Sequence, residues 1–181
     1  KIRRNVWLEM NSYLTPLEQA NVISSILYNY YNLKGTEVAY INPDDFFIHK
    51  VLQSKKGNAV SNGILYMVLA EQLDIPVRAI NIPRQFILAY FNSSYDHAAY
   101  TEDIMKNINF YVDATTGQPF SHNDLENYLS RIGVHQTGSY FKPIPKIKII
   151  QMLIEELSLC FEAPELLYKK KELLQLARLL D

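Results

Sequence analysis

The stretch best placed to do chemistry is Gly57-Asn58-Ala59-Val60-Ser61, where a basic turn, Lys55-Lys56, gives way to a helix. That helix is apolar on nearly every side, which is the pattern of a segment buried in the centre of a domain. Its N-terminus is aimed at a neighbouring strand, and free backbone N–H groups there stabilise an anion, so nucleophiles often sit in such positions. The other reactive side chains are scattered. Cys160 is the one thiol, and it falls on the apolar face of a terminal helix, where a thiol behaves as a small hydrophobe. His49 reads as a surface or core-edge residue of a helix. His97 lies among Asp96, Glu102 and Asp103 with no recognised metal-ligand spacing, so a solvated loop is expected there. His122 reads as a surface residue in the first turn of a helix, and nothing singles out His135. There is no phosphate-cradling glycine loop, dinucleotide fingerprint or spaced ligand set, so neither cofactor nor metal is expected.

The elements that must position this stretch can be read in order. Residues 1–12 form a short helix or an extended arm. Thr15-Pro16-Leu17-Glu18 carries an N-cap, a Pro at the first helical position and a capping-box Glu, and Ile23, Ile26, Leu27 and Tyr30 follow at helical spacing until Gly35 stops them. Asn42-Pro43-Asp44-Asp45 turns into a second helix, capped by Asp44 or Asp45, with Phe46, Phe47, Val51 and Leu52 on its buried face. The central helix runs from about Ala59 to Leu73 and is ended by Pro76. Val77–Ile82 and Gln85–Phe91 read as strands broken by Pro83-Arg84, the second nearly all apolar and so interior. Asn109–Asp113 is a third strand, followed by the turn Ala114–Gly117. Ser121 caps a helix with Leu125, Tyr128, Leu129 and Ile132 on its face and Gly133 just past its end. Pro145–Phe161 and the helix opened by Pro164 form a closing hairpin, and Lys169-Lys170-Lys171 reads as a solvated face.

The chain has 181 residues, 48% apolar and 20% charged, which suits one globular domain, or one domain with a helical appendage. A formal charge of −1 and a pI near 6.5 give no concentrated basic surface, so neither nucleic acid nor an anionic membrane is an expected partner. No apolar run is long enough to span a bilayer. A single cysteine makes no internal disulfide, and a reducing cytoplasm is the default location.

Taken together, Asn42-Pro43, Lys55-Lys56-Gly57-Asn58, Ile64-Leu65-Tyr66, Leu73, Ile75-Pro76-Val77, Asn81, Pro83, Phe86-Ile87-Leu88 and the Asp113 turn resemble the transglutaminase-like superfamily, over about residues 42–133. The resemblance is to its bacterial SirB-type branch, in which such a domain precedes a tetratricopeptide-like tail. It implies an α+β, papain-like fold: a buried central helix on a small antiparallel sheet, then a helical hairpin. The implied division is a transglutaminase-like domain at 1–138 and a helical tail packed on it at 139–181.

Active members of the superfamily use Cys, His and Asp: a thiolate attacks an acyl carbon, the imidazole moves the proton, and the carboxylate orients it. On the matching positions this chain has Ala59, Gln85 and Asp113. Ala59 is no nucleophile, and a glutamine amide does not titrate near neutral pH. The carboxylate of Asp113 is expected to accept a hydrogen bond from the Gln85 amide. The nearest hydroxyl, Ser61, stands two residues along from Ala59, about 200° round the helix, and should point away from Gln85. The expected function is therefore a non-catalytic binding or scaffold module for a protein or peptide partner. The alternative is a hydrolase or acyl transferase with relocated residues, Ser61 paired with a His such as His49 or His97. A role as one segment of a longer protein whose active portion lies elsewhere is a third reading.

Overall fold

The computed structural model describes residues 1–36, 39–92 and 104–180. It is an α+β structure with a four-stranded antiparallel sheet, in the order β3 (Val77–Ile82), β4 (Gln85–Phe91), β5 (Ile108–Asp113), β6 (Pro119–Phe120). A separate two-residue parallel ladder joins β1 (Lys34–Gly35) to β2 (Lys56–Gly57). Helix α4 (Ala59–Glu71) lies against one face of the sheet, and α5 (His122–Arg131) lies on the other.

Strand β4 explains why its sequence is apolar at nearly every position. Phe86, Leu88 and Tyr90 join the core shared with α4, while Ile87, Ala89 and Phe91 join the core shared with α5. Alternation sends successive side chains to opposite faces, so a strand covered on both sides must be apolar on both. Tyr66 of α4 is fully buried in the first of these cores and donates to the Ala20 carbonyl of helix α2 (Pro16–Ser24) at 3.0 Å. Helix α4 itself is not enclosed all round, because Val68 is 44% exposed.

Helix α1 (Ile2–Glu9) is anchored by Val6. The capping box predicted for α2 is present, with Thr15 accepting from the Glu18 N–H. Its helical course changes at Ser25–Tyr30 into wider π-type turns, and Asn32, at φ +55°, redirects the chain before Gly35 is reached. Gly35 is thus no helix stop. It lies in β1 against the backbone of Thr115, where a Cβ has no room. The next helix also starts later than the sequence suggests. Asn42 caps a short 3-10 turn at Pro43–Asp45 by accepting from the Asp44 N–H, and α3 (Ile48–Ser54) begins without a side-chain cap. Gly133 takes φ +69° just beyond α5, as the sequence pattern requires.

After a 3-10 turn at Gly138–Phe141 the chain crosses the free edge of β3, where the Ile144 N–H donates to the Ala79 carbonyl at 2.8 Å. Helix α6 (Lys146–Ser158) then adds Ile149 to the core around α4, and Lys146 pairs with Glu71 at the end of that helix. Helix α7 (Leu167–Arg178) folds back on α6 as the second arm of a hairpin. No helix among the described residues is long and apolar enough to cross a membrane.

Candidate functional site

A cleft of ≈ 770 Å³ opens at the end of the sheet where the β3–β4 hairpin turns, and Ala59, Gln85 and Asp113 all line it. Ala59 comes from the first turn of α4, Gln85 from the first position of β4, and Asp113 from the last position of β5. Helix α6 supplies Met152 and Glu156 from the opposite side. The strand register sets how Gln85 and Asp113 relate. Asp113 stands opposite Ile87, and Gln85 lies two residues earlier on the same strand face. They are therefore diagonal neighbours, roughly 7–8 Å apart.

The expected hydrogen bond from Gln85 to Asp113 is not made. Asp113 Oδ1 instead accepts from the Thr115 N–H at 2.7 Å and from Thr115 Oγ1 at 2.6 Å. A carboxylate two residues before a backbone N–H closes a local turn more readily than it reaches along a diagonal. The turn is also buttressed from α2 and its π-type extension. Tyr28 donates to the Ala114 carbonyl at 2.7 Å, and Ser24 donates to the Gly117 carbonyl at 2.6 Å. Gly117 takes φ +73° with the Tyr28 ring against its Cα, so no other residue fits there without movement. Burial pushes the Tyr28 hydroxyl well above the usual tyrosine range, with a smaller contribution from Tyr66 and Asp113.

Ser61 is placed elsewhere. It is fully buried, and its hydroxyl oxygen accepts from the Asn58 N–H at 3.0 Å while Asn58 Oδ1 accepts from the Ser61 N–H at 3.0 Å. The hydroxyl is occupied in this capping box, and no histidine reaches it among the described residues. His49 is exposed on α3, and His97 lies outside the described residues together with Asp96, Glu102 and Asp103. His122 does more than the sequence indicates. Its Nδ1 is 2.7 Å from the hydroxyl of buried Tyr111, and its Nε2 is 3.2 Å from the Ile108 carbonyl. It ties α5 to β5. Its place in the first turn after the Ser121 cap, on the face of Leu125 and Leu129, carried that information. Burial raises the Cys160 thiol above its ordinary value, helped by Asp45 and Glu156. Among the described residues no three His, Cys, Asp or Glu side chains converge on one point.

Two features of the cleft and one of the buried core had no sequence signal. Tyr40 donates to Glu156 Oε2 at 2.5 Å across its far wall. Arg84 stands at its mouth with φ +63°, in a two-residue hairpin turn after Pro83. Asn58 Nδ2 is buried with no hydrogen-bond partner, and so are both polar atoms of the Asn62 side chain.

A central helix whose N-terminus meets the ends of two antiparallel strands at a cleft is the frame of a transglutaminase-like domain. The profile of the transglutaminase-like superfamily matches residues 1–155, and the chain belongs to that superfamily. Relatives of the SirB type are similar over the central part. Salmonella typhimurium protein SirB1 is 29% identical over 80 residues, covering 44% of this chain and 30% of SirB1. Escherichia coli UPF0162 protein YchA is 32% identical over 78 residues, covering 42% of this chain and 29% of YchA. Similarity extends beyond bacteria: mouse F-box only protein 21 is 29% identical over 138 residues, covering 76% of this chain and 21% of the mouse protein. The chain thus matches between about a fifth and a third of the length of these relatives. No solved structure matches it.

Proposed function

We propose that this is a non-catalytic transglutaminase-like module that binds a protein or peptide partner in the cleft left by the superfamily's active site. The observation that carries the reading is the composition of that cleft. The position at the helix N-terminus is Ala59, the position facing it is Gln85, and the carboxylate of Asp113 is held by Thr115. A methyl group cannot attack an acyl carbon, and an amide cannot take and return a proton. What remains is an open cleft with apolar walls and a few polar groups, which suits recognition. The alternative, a hydrolase using Ser61, loses its support from the burial of that side chain in the helix cap. The similar segment makes up a fifth of the mouse F-box protein, which favours a module acting within or beside a larger polypeptide. The proposal includes a tetratricopeptide-like part for the α6–α7 hairpin at 139–181 and a cytoplasmic setting.

The test is turnover. Purified protein is incubated with amine donors and glutaminyl peptides, and separately with peptide and ester substrates, and no product above background is expected. Turnover that disappears in Asp113→Ala would end the proposal.

A further inference from the structure

Helix α1 leaves its widest ring in solvent. Ile2, Val6 and Met10 recur every four residues and pack on the core, with Val6 fully buried. Trp7, the one tryptophan of the chain, lies off that face and is 63% exposed. Arg3 stands one turn before it on the same ridge. A pocket of ≈ 330 Å³ opens where this ridge meets the end of α4. Trp7 with half-buried Met10 and Leu73 makes its apolar lining, and Arg3, Asn11, Gln72 and Asp74 make its polar lining. None of these residues lines the cleft.

Asp74 breaks two local rules at this pocket. The Ile75 N–H donates to the Ala70 carbonyl at 2.9 Å and the Asp74 N–H to the Glu71 carbonyl at 3.2 Å. These are the paired bonds of a Schellman motif, with Asp74 in its left-handed position at φ +57°. Glycine is the usual residue there, because it has no Cβ to crowd. A carboxylate is disfavoured a second time by the negative end of the helix dipole. The Asp74 side chain has no hydrogen bond or ion pair among the described residues to offset either effect. A residue that is locally unfavourable and structurally unrewarded, at the wall of a pocket, marks a functional position.

The rest of the lining gives the ligand its chemistry. Arg3 and Gln72 are likewise without side-chain partners among the described residues, and Asn11 Oδ1 accepts from the Tyr13 N–H at 2.9 Å, which leaves its Nδ2 as a donor. One cation and one carboxylate balance, so the pocket calls for an ion of neither sign. It calls for groups that donate to Asp74 and accept from Arg3 and Asn11, and a hydroxyl does both. The exposed indole adds a flat apolar face for C–H groups. A volume at the lower end of small-ligand pockets, about 300–1,000 Å³, admits one ring rather than a chain. We infer that this pocket is a sugar-binding site, in which a single pyranose ring stacks on Trp7 while its hydroxyls bond Asp74, Arg3 and Asn11. It is independent of the cleft and of what the cleft binds.

The experiment is an NMR titration of the 15N-labelled chain with the methyl glycosides of glucose, galactose, mannose and N-acetylglucosamine, and with tetramethylammonium chloride. Trp7 gives the one indole N–H signal. At least one glycoside is expected to shift that signal and the Gln72, Leu73 and Asp74 amides saturably, with a Kd of about 1 mM. Asp74→Gly puts the preferred residue at the left-handed position, so its melting temperature should equal or exceed the parent's. It should nevertheless weaken the glycoside at least about tenfold, the loss of one charge-assisted contact. Trp7→Leu, at an exposed position, should abolish the shifts of the same three amides. No movement of the indole signal with any of the four glycosides would overturn the inference. So would an Asp74→Gly variant that binds the glycoside as the parent does. Tetramethylammonium shifting the indole more strongly than every glycoside would also overturn it, in favour of a cation on the ring face.

Discussion

Asn58 and Ser61 satisfy each other across the first turn of α4, each accepting the other's backbone N–H at 3.0 Å. Both are buried, so neither bond can be replaced by water. Ser61→Ala removes one cap bond and strands the Asn58 N–H, for an expected loss of about 1–2 kcal/mol of stability. Urea unfolding reads the loss. A Ser61→Ala variant as stable as the parent would show that the hydroxyl is not structural and return it to consideration as a nucleophile.

Gly63 faces the sheet from the middle of the same helix, and a Cβ built there lies 2.5 Å from the Phe86 ring and 3.3 Å from the Ala114 Cβ. Alanine is the better helix former by about 1 kcal/mol, but forcing the Phe86 ring away costs about 1–3 kcal/mol. The crowding should win, because Phe86 is a buried wall of the cleft rather than a free side chain. Gly63→Ala is expected to lower the melting temperature. A rise would mean that the ring moves aside at little cost.

Position 59 can be probed with a thiol. In Ala59→Cys the new side chain stands at a helix N-terminus in an open cleft, where a thiolate is stabilised. Cys160 is partly covered, and burial with Asp45 and Glu156 nearby disfavours its thiolate. At pH 7 iodoacetamide should therefore label the variant at position 59 at least about tenfold faster than at Cys160. Peptide mapping after timed quenching distinguishes the two. Preferential labelling of Cys160 would mean that position 59 does not face an open cleft.

Much of the arrangement was legible because local chemistry and tertiary demands agree. The Thr15 and Ser121 capping boxes, Pro76 after the central helix and the two-sided apolar run of β4 each specify one structure. Gly35 misled because glycine signals both a helix stop and close backbone approach, and the second depends on Thr115, distant in sequence. The partner of Asp113 was misassigned for a related reason. The resemblance pairs it with Gln85, but the register places them on a diagonal while Thr115 stands two residues away. Tyr40 and Arg84 became features of the cleft only once α6 closed its far wall.

The bond from Tyr40 to Glu156 links the segment before α3 to α6, and it gives that link a pH dependence. Donation to the Glu156 carboxylate, with some burial, pushes the Tyr40 hydroxyl from 10 up to about 12. The folded chain holds this proton more tightly than the unfolded chain. Its contribution is therefore complete below pH 10 and is lost as the pH rises through 12. Tyr28, Tyr66 and Tyr111 are shifted in the same direction, mainly by burial, so stability should fall steeply at alkaline pH. Tyr40→Phe removes only the cross-cleft bond. Because that bond is partly solvated, the expected cost at pH 8 is about 0.5–1 kcal/mol, below the range for a buried charged partner. The variant should then lose less stability than the parent between pH 10 and 12. Urea midpoints at pH 8, 10 and 11 test both parts. A Tyr40→Phe variant with the parent's midpoint at pH 8 and the parent's alkaline slope would show that Tyr40 and Glu156 do not hold the cleft wall together in solution.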